Sequence, residues 1–312
     1  MSPMNPETRT ASGASAPATA GDAAAVPPPL PRREDEFTSE RHVYEPHRVG
    51  LPPLRPYLRT LWRRREFAIE LSRTNLLAQH VNTVFGQLWL VLNPLLLAGI
   101  YFILVDILQQ GTHGADFFAH LMAGLFAFTF FNQSVTQGAK SVVGGGRLIL
   151  NTAFPRTLLP LASVLTAFLR FLPTIVVYAA VHVAIGLPLG LHLLWVVPLF
   201  ALLVVFAAGV TLLVAAAQVY FRDISSFLPY VMRIWLYASP VLYYLEDVPE
   251  RFKIITDLNP LAPMLGAWSD VLTRGAVPSG GRVALAAGWA LATFVVGALV
   301  FISREREFAV RL

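Results

Sequence analysis

"TLLPLASVLTAFLRFLPTIVVYAAVHVAIGLPLGLHLLWVVPLFALLVVFAAGVTLLVAAAQ", residues 157–218, carries a single charged side chain, Arg170. A water-soluble helix cannot stay uncharged over such a distance, whereas a helix that crosses a bilayer needs roughly 20 predominantly apolar residues. The stretch holds two such runs, near 157–186 and 193–217, separated by a short segment without Lys or Arg. The rest of the chain agrees. Of 312 residues, 55% are hydrophobic and 14% charged, against roughly 25% charged in soluble domains. The chain therefore reads as an all-α integral membrane protein. It contains no cysteine, which excludes disulfides, thiolate metal sites and cysteine nucleophiles. Only Lys140 and Lys253 among its 24 basic residues are lysines, a bias that fits a GC-rich bacterial genome.

Working outward, hydropathy places six spans near 88–109, 117–136, 157–186, 193–217, 226–245 and 283–303. Residues 1–53, with "AAAVPPPLPRREDE" at their centre, lack the apolar content to bury a core and read as a disordered tail. From residue 54 to 312 the chain reads as one membrane domain. It opens on an amphipathic helix at 57–80, with Tyr57, Leu58, Leu61, Trp62, Ala68, Ile69 and Leu76 on one face and Arg59, Arg63, Glu66, Glu70 and Arg73 on the other. That pattern suits a helix lying in the membrane interface. The loops at 110–116 and 187–192 have no Lys or Arg, while the N-terminal region, the 137–156 loop, the 218–225 turn and the tail are basic. The positive-inside rule then puts both termini in the cytoplasm. Residues 246–282 go against the rule, with Arg251, Lys253, Arg274 and Arg282 on the expected outer side. Within them "LNPLAPMLGAWSDVL" (258–272) is apolar but broken by Pro260 and Pro263. It predicts short re-entrant helices, since irregular backbone is tolerated at membrane depth only where protein or water surrounds it.

The glycine-rich "SVVGGGRLILNTAFPRTLLP" (141–160) raises the question of phosphate binding. Upstream, Gly138-Ala139-Lys140-Ser141 looks like part of a phosphate loop, but Ala139 replaces the glycine that must precede the lysine. No earlier glycine stands at the required distance. The segment reads instead as a cytoplasmic loop holding a short helix, which either docks on a soluble partner or simply connects two spans.

Four segments stand in a recognisable order: "FGQLWLVLNPLL" (85–96), "RLILNTAFPRTLLPLASVL" (147–165), "QVYFRDISSFLPYVMRIWLYASPVLY" (218–243) and "LNPLAPM" (258–264). Together they resemble the permease subunit of type 2 ABC exporters of the polysaccharide family, which export O-antigen, capsule, teichoic acid and galactan. The resemblance covers about residues 60–312. It implies a pore made by two copies of the chain in the cytoplasmic membrane, each seated on a separate ATP-binding subunit. ATP and Mg would be bound there, with no cofactor in this chain. It further implies that Gly144, Gly145, Gly146, Arg147, Phe154, Pro155 and Arg156 belong to the segment that couples to the ATPase, and that the first, second and fifth spans line the pathway. Gln79-His80 stand where relatives commonly show Arg-Tyr.

Several residues carry two readings. Arg170 lies about 20 Å beyond the cytoplasmic start of its helix, and a buried arginine there needs a partner. It either pairs with Asp106 or faces the pathway and meets a lipid pyrophosphate. Phe126, Phe131, Trp235, Tyr237 and Tyr243 either line a pathway, where rings stack on sugar C–H faces, or form an interfacial aromatic belt. Arg222-Asp223 reads as a local ion pair, and His120 and His182 read as satisfied core histidines. The competing functions are an ABC exporter of drugs or small lipids, an integral-membrane enzyme acting on polyprenyl-linked sugars, and an ion-coupled carrier. For the enzyme, the acid cluster of the membrane domain (Glu246, Asp247, Glu250) reads more naturally as solvated surface.

Overall fold

The computed structural model describes residues 51–78, 86–108 and 114–311; nearly all of the 1–53 tail, the Gln79-His80 pair and residues 109–113 lie outside them. All regular elements among the described residues are helical. Five helices are long and apolar enough to cross a membrane: α3 (Trp89–Leu108), α4 (Ala115–Gly144), α6 (Leu158–Ile185), α7 (Val196–Tyr220) and α11 (Gly280–Arg304). Before them come α1 (Leu54–Arg63) and α2 (Arg65–Ala78); among them stand α5 (Gly146–Asn151), α8 (Ile224–Ala238), α9 (Lys253–Leu258) and α10 (Leu261–Ser269), and α12 (Phe308–Arg311) ends the chain.

Three elements differ from expectation for physical reasons. The amphipathic helix is two helices, bent at Arg64, and the bend changes which residues face inward. Ala68 is buried and Tyr57 and Leu61 are half-buried, whereas Leu58, Trp62 and Ile69 are exposed. α4 runs eight residues past its expected end, so the damaged phosphate loop is plain helix. Gly138 is there for packing: a Cβ would come within 2.1 Å of the Thr211 methyl on α7. α8 is 15 residues long and stops where Ser239 turns extended (φ −101°, ψ 149°) ahead of Pro240. Proline disfavours helical backbone in the residue before it. At 1.5 Å per residue α8 rises about 22 Å, less than the roughly 30 Å of hydrocarbon.

Burial is very unequal. In α4, 72% of the most apolar stretch is buried, against 11% in α3, so α4 is the central post and α3 a peripheral helix. Aromatic rings fill the space between α4, α6, α7 and α10. Phe171 stacks on Phe200 with centroids 4.4 Å apart, and Phe130, Phe131, Phe206 and Trp268 complete the cluster. Such pairs contribute about 0.5–1.5 kcal/mol each beyond burial. The tightest backbone approach is between α7 and α11. A Cβ on Gly209 would sit 2.6 Å from the Phe294 nitrogen, and one on Gly297 would sit 2.3 Å from the Gly209 carbonyl oxygen. Small residues let membrane helices pack closely where the hydrophobic effect offers no drive.

Overpacking a filled contact typically costs about 1–3 kcal/mol or more, so Gly297→Leu is expected to lower the melting temperature and membrane level of the protein. Gly288 on the same helix has open space within 4 Å of the point where a Cβ would stand, and Gly288→Leu should leave both unchanged. Fluorescence-detected size exclusion after heating tests this; equal loss in both variants would contradict the packing assignment.

Candidate functional site

The residues expected to couple to an ATPase lie along one connected segment at the base of the bundle. Gly144 ends α4 with open space around it, and Gly145 makes the step to α5. A Cβ on Gly145 would fall 2.9 Å from a Leu159 methyl, so glycine lets α5 fold back against α6. Ile149 anchors α5 in a cluster with Val142, Leu159, Leu212 and Phe301. Arg147, Leu150, Asn151, Thr152 and Ala153 are left exposed. Phe154 then packs at a tilt against Phe67 of α2, with centroids 4.9 Å apart, and the Arg64 guanidinium donates to the Ala153 carbonyl. α2 and the bend at Arg64 therefore grip the segment directly.

Glu305, just past α11, ties these parts together. Its carboxylate accepts from the Tyr57 hydroxyl of α1 and from the Arg156 backbone N–H, and lies 3.5 Å from the Thr157 hydroxyl. The Arg156 guanidinium donates to the Glu305 backbone carbonyl. Burial, reinforced by the neighbouring Glu305 charge, raises the Tyr57 pKa, which keeps the hydroxyl protonated as a donor. Burial lowers the Arg156 pKa, with Glu305 opposing the shift. A groove of about 530 Å³, mostly apolar, runs between Pro53, Tyr57, Arg64, Phe154 and Glu305. The Ser72 hydroxyl shares its one proton between the Ala68 carbonyl of its own helix and the Ala162 carbonyl of α6, which ties α2 to α6.

The residues expected to line a pathway separate into three groups. Tyr237 and Tyr243 share an apolar pocket of about 530 Å³ with Phe117, Ile234, Asp247 and Phe252, at the end of α8. Phe131 and Trp235 instead meet edge to face in the core, and the Trp235 indole donates to the Asn259 side chain over 2.8 Å. Phe131 is fully buried and lines no open surface. Phe126 and Arg170 line a cavity of about 10 Å³ together with Gln133, Thr129, Thr174 and Pro94, a volume that admits about one water molecule.

Arg170 does not pair with Asp106. It is 5% exposed, and its Nε and Nη2 have no hydrogen-bond partner among the described residues. The two helices are offset: α3 reaches Arg170 with Leu90 and Pro94. Asp106 stands 12 residues beyond Pro94, about 18 Å along the axis. Arg222 and Asp223 likewise form no ion pair among the described residues; the Gln218 amide donates to the Arg222 carbonyl instead. His182 donates to the Pro188 carbonyl and His120 to that of Tyr243, and His120 also bonds Ser269.

Other residues with structural weight are not marked by the sequence pattern. Asn259 organises the break after α8: its amide donates to the Ala238 carbonyl and the Ser239 hydroxyl, and its carbonyl accepts the Leu261 N–H that opens α10. Its one signal is the "LNP" ahead of an apolar run. Around it, α10 is buried along its whole length. The basic residues of 246–282 that broke the charge pattern are mostly paired: Arg274 with Glu246 and Asp270, Arg282 with Asp270, and Lys253 with Glu250. Burial works against the Arg274 charge, but its two acids outweigh that and raise its pKa.

Glu305→Ala removes the acceptor for Tyr57 and Arg156, at about 1–3 kcal/mol per buried group left unsatisfied. Glu305→Gln keeps one carbonyl acceptor, so melting temperatures should rank wild type, then Gln, then Ala; an Ala variant as stable as wild type would remove Glu305 from its central position. Arg170 should behave in the opposite way. Replacing a buried, unpaired charge with an apolar side chain of similar length relieves its desolvation, so Arg170→Met should melt higher than wild type. A lower melting temperature would reveal a partner for Arg170.

Comparison with known proteins is consistent with this architecture. Residues 67–272 match the family model described as ABC-2 type transporter. An O-antigen export system permease protein, RfbA, of Klebsiella pneumoniae is 30% identical over 211 residues, 67% of this chain and 81% of its own. The O-antigen export system permease protein RfbA of Myxococcus xanthus is 26% identical over 259 residues, 81% of this chain and 97% of its own. The polysialic acid transport protein KpsM of Escherichia coli is 22% identical over 232 residues, 70% and 86% of the two chains. With the family match covering well over half of its length, the chain belongs to the ABC-2 type transporter family.

Proposed function

We propose that this chain is the pore-forming permease subunit of an ATP-driven exporter that moves a lipid-linked polysaccharide or polyol-phosphate polymer across the bacterial cytoplasmic membrane. Two copies form the passage, each on an ATP-binding subunit that holds ATP and Mg. Both termini face the cytoplasm, α1 and α2 lie in the membrane interface, and α8 with the short α9 and the buried α10 supplies a shortened sixth crossing with re-entrant helices. The observation that carries the reading is the run of relatives named as polysaccharide and O-antigen export proteins, matched over two thirds or more of this chain. Those names favour a glycan over a drug or small lipid as cargo.

The base of the bundle suits the coupling role. α5 exposes Arg147 and Leu150 while Ile149 holds it to the bundle, so it offers a side-chain surface on a fixed support. Its neighbours Phe154 and Arg156 pass any displacement to α2 and, through Glu305, to α1 and the end of α11. A push on α5 by a partner subunit therefore moves three segments together.

The purified chain is expected to show no ATP hydrolysis by itself and to assemble with an ABC ATP-binding subunit from its own host. Gly145 has no room for a side chain, so the cross-linking site should be Arg147. Arg147→Cys, in a chain with no other cysteine, should form a disulfide with a cysteine placed in the partner's groove. ATP turnover by the chain alone, free of contaminating ATPase, would overturn the reading.

A further inference from the structure

α8 carries three distinct stripes. Leu228, Met232 and Leu236 are buried in the core. Phe227, Val231 and Ile234 are exposed at 67%, 48% and 68% and form an apolar stripe. Ser226, Tyr230, Arg233 and Tyr237 are also exposed, and their spacing of four, three and four residues places them within about 60° of one another around the helix. A polar stripe centred on an arginine thus runs along a helix otherwise built for apolar surroundings.

Arg233 is the tenth residue of α8, about 14 Å from the helix start. Among the described residues it has no ion-pair or hydrogen-bond partner, and α8 contains no acid. Charged side chains inside membranes face the bundle interior or a water-filled cavity, because hydrocarbon does not solvate them. The Arg233 side chain is exposed, so the bundle interior is excluded for it. A polar contact stands beside this stripe: Tyr101 of α3 lies with its hydroxyl 3.3 Å from that of Tyr237. A guanidinium flanked by tyrosine hydroxyls matches phosphate oxygens, which take paired N–H donors from arginine.

The family resemblance already implies that the span containing α8 lines the pathway; we propose that the Ser226–Tyr230–Arg233–Tyr237 stripe is its water-facing side and that Arg233 is an anion-selecting residue for phosphate groups of the cargo. This rests on the permease reading above. In a two-copy assembly each stripe has a symmetry mate, giving a pair of guanidinium groups of the kind that favours anions in pores.

The test needs no transport. Tyr230→Cys is introduced into the full-length chain, which has no native cysteine, and the complex with its ATP-binding subunit is reconstituted in liposomes. Anionic sulfonatoethyl and cationic trimethylammonioethyl methanethiosulfonates are compared, each rate normalised to its reaction with a free thiol. Both should label position 230, and Phe227→Cys on the apolar stripe should stay unlabelled. The anionic reagent should be favoured, and Arg233→Gln should lower the anion-to-cation ratio about tenfold, as expected for one unit charge about 6 Å away in water. Arg233→Lys should preserve the ratio and covers the case in which Arg233→Gln does not reach the membrane. No labelling at 230, or equal normalised rates with Arg233 present, would overturn the proposal. Farnesyl diphosphate and inorganic pyrophosphate should each slow the labelling. Protection by the former at far lower concentration identifies a lipid-linked phosphate, equal protection identifies phosphate of the polymer, and no protection by either overturns the phosphate assignment. An unchanged ratio in a complex that still exports glycan removes the anion site alone; an Arg233-dependent ratio in one that exports none removes the permease reading alone.

Discussion

Hydrocarbon does not accept an unpaired charge, and that constraint sorts every face of this chain. α7 carries no charge, and α4 carries none between Asp116 and Lys140 near its two ends. These two helices form the core, with aromatic rings and glycine contacts filling the space between helices. Where charge is retained inside the apolar region it is either sealed off, as Arg170 is behind α3 in a cavity no larger than about one water, or exposed on a polar stripe, as Arg233 is on α8. Each arginine in the apolar region therefore carries information about what surrounds it.

The base and the far end of the bundle are joined by one element. α4 runs 30 residues without a break, about 45 Å, from Phe117 and His120 beside the Tyr243 pocket to Gly144 at the start of the 144–156 segment. At the base, the Glu305 carboxylate gathers α1, the Arg156 loop and the end of α11 at one point. At the far end, His120 bonds the Tyr243 carbonyl and Ser269 of α10. The segment that follows Gly144 and the pocket holding Tyr237 and Tyr243 are thus connected through one packed helix rather than through loops.

The fold class is legible from 157–218 alone, because a 62-residue run with one charge has no soluble solution. The ends of helices are less so. Hydropathy ends the second span at 136, but α4 continues through polar residues that favour helix equally well in water. It also carries the fifth span, near 226–245, through Pro240, where the backbone rule for residues before proline marks the true stop. The 144–156 segment stands out in the sequence by its glycines, but Glu305 does not: its contacts come from segments 149 and 248 residues away in sequence, a distance no periodicity reports. Pairing Arg170 with Asp106 assumes that α3 and α6 start level, and they do not. Arg233 is readable in "PYVMRIWLYASP", at helical spacing from Tyr230 and Tyr237, yet hydropathy averaging hides it among apolar neighbours.

The most direct test of the permease assignment is vectorial transport. Proteoliposomes carrying this chain with its ATP-binding subunit would receive a lipid-linked glycan from the host on the ATP side, and a lectin trapped inside would report its arrival. The account predicts ATP-dependent lectin signal that disappears when the ATP-binding subunit is made hydrolytically dead and when this chain is omitted. Normal ATP hydrolysis by the intact complex, with the glycan remaining on the side of addition, would contradict it.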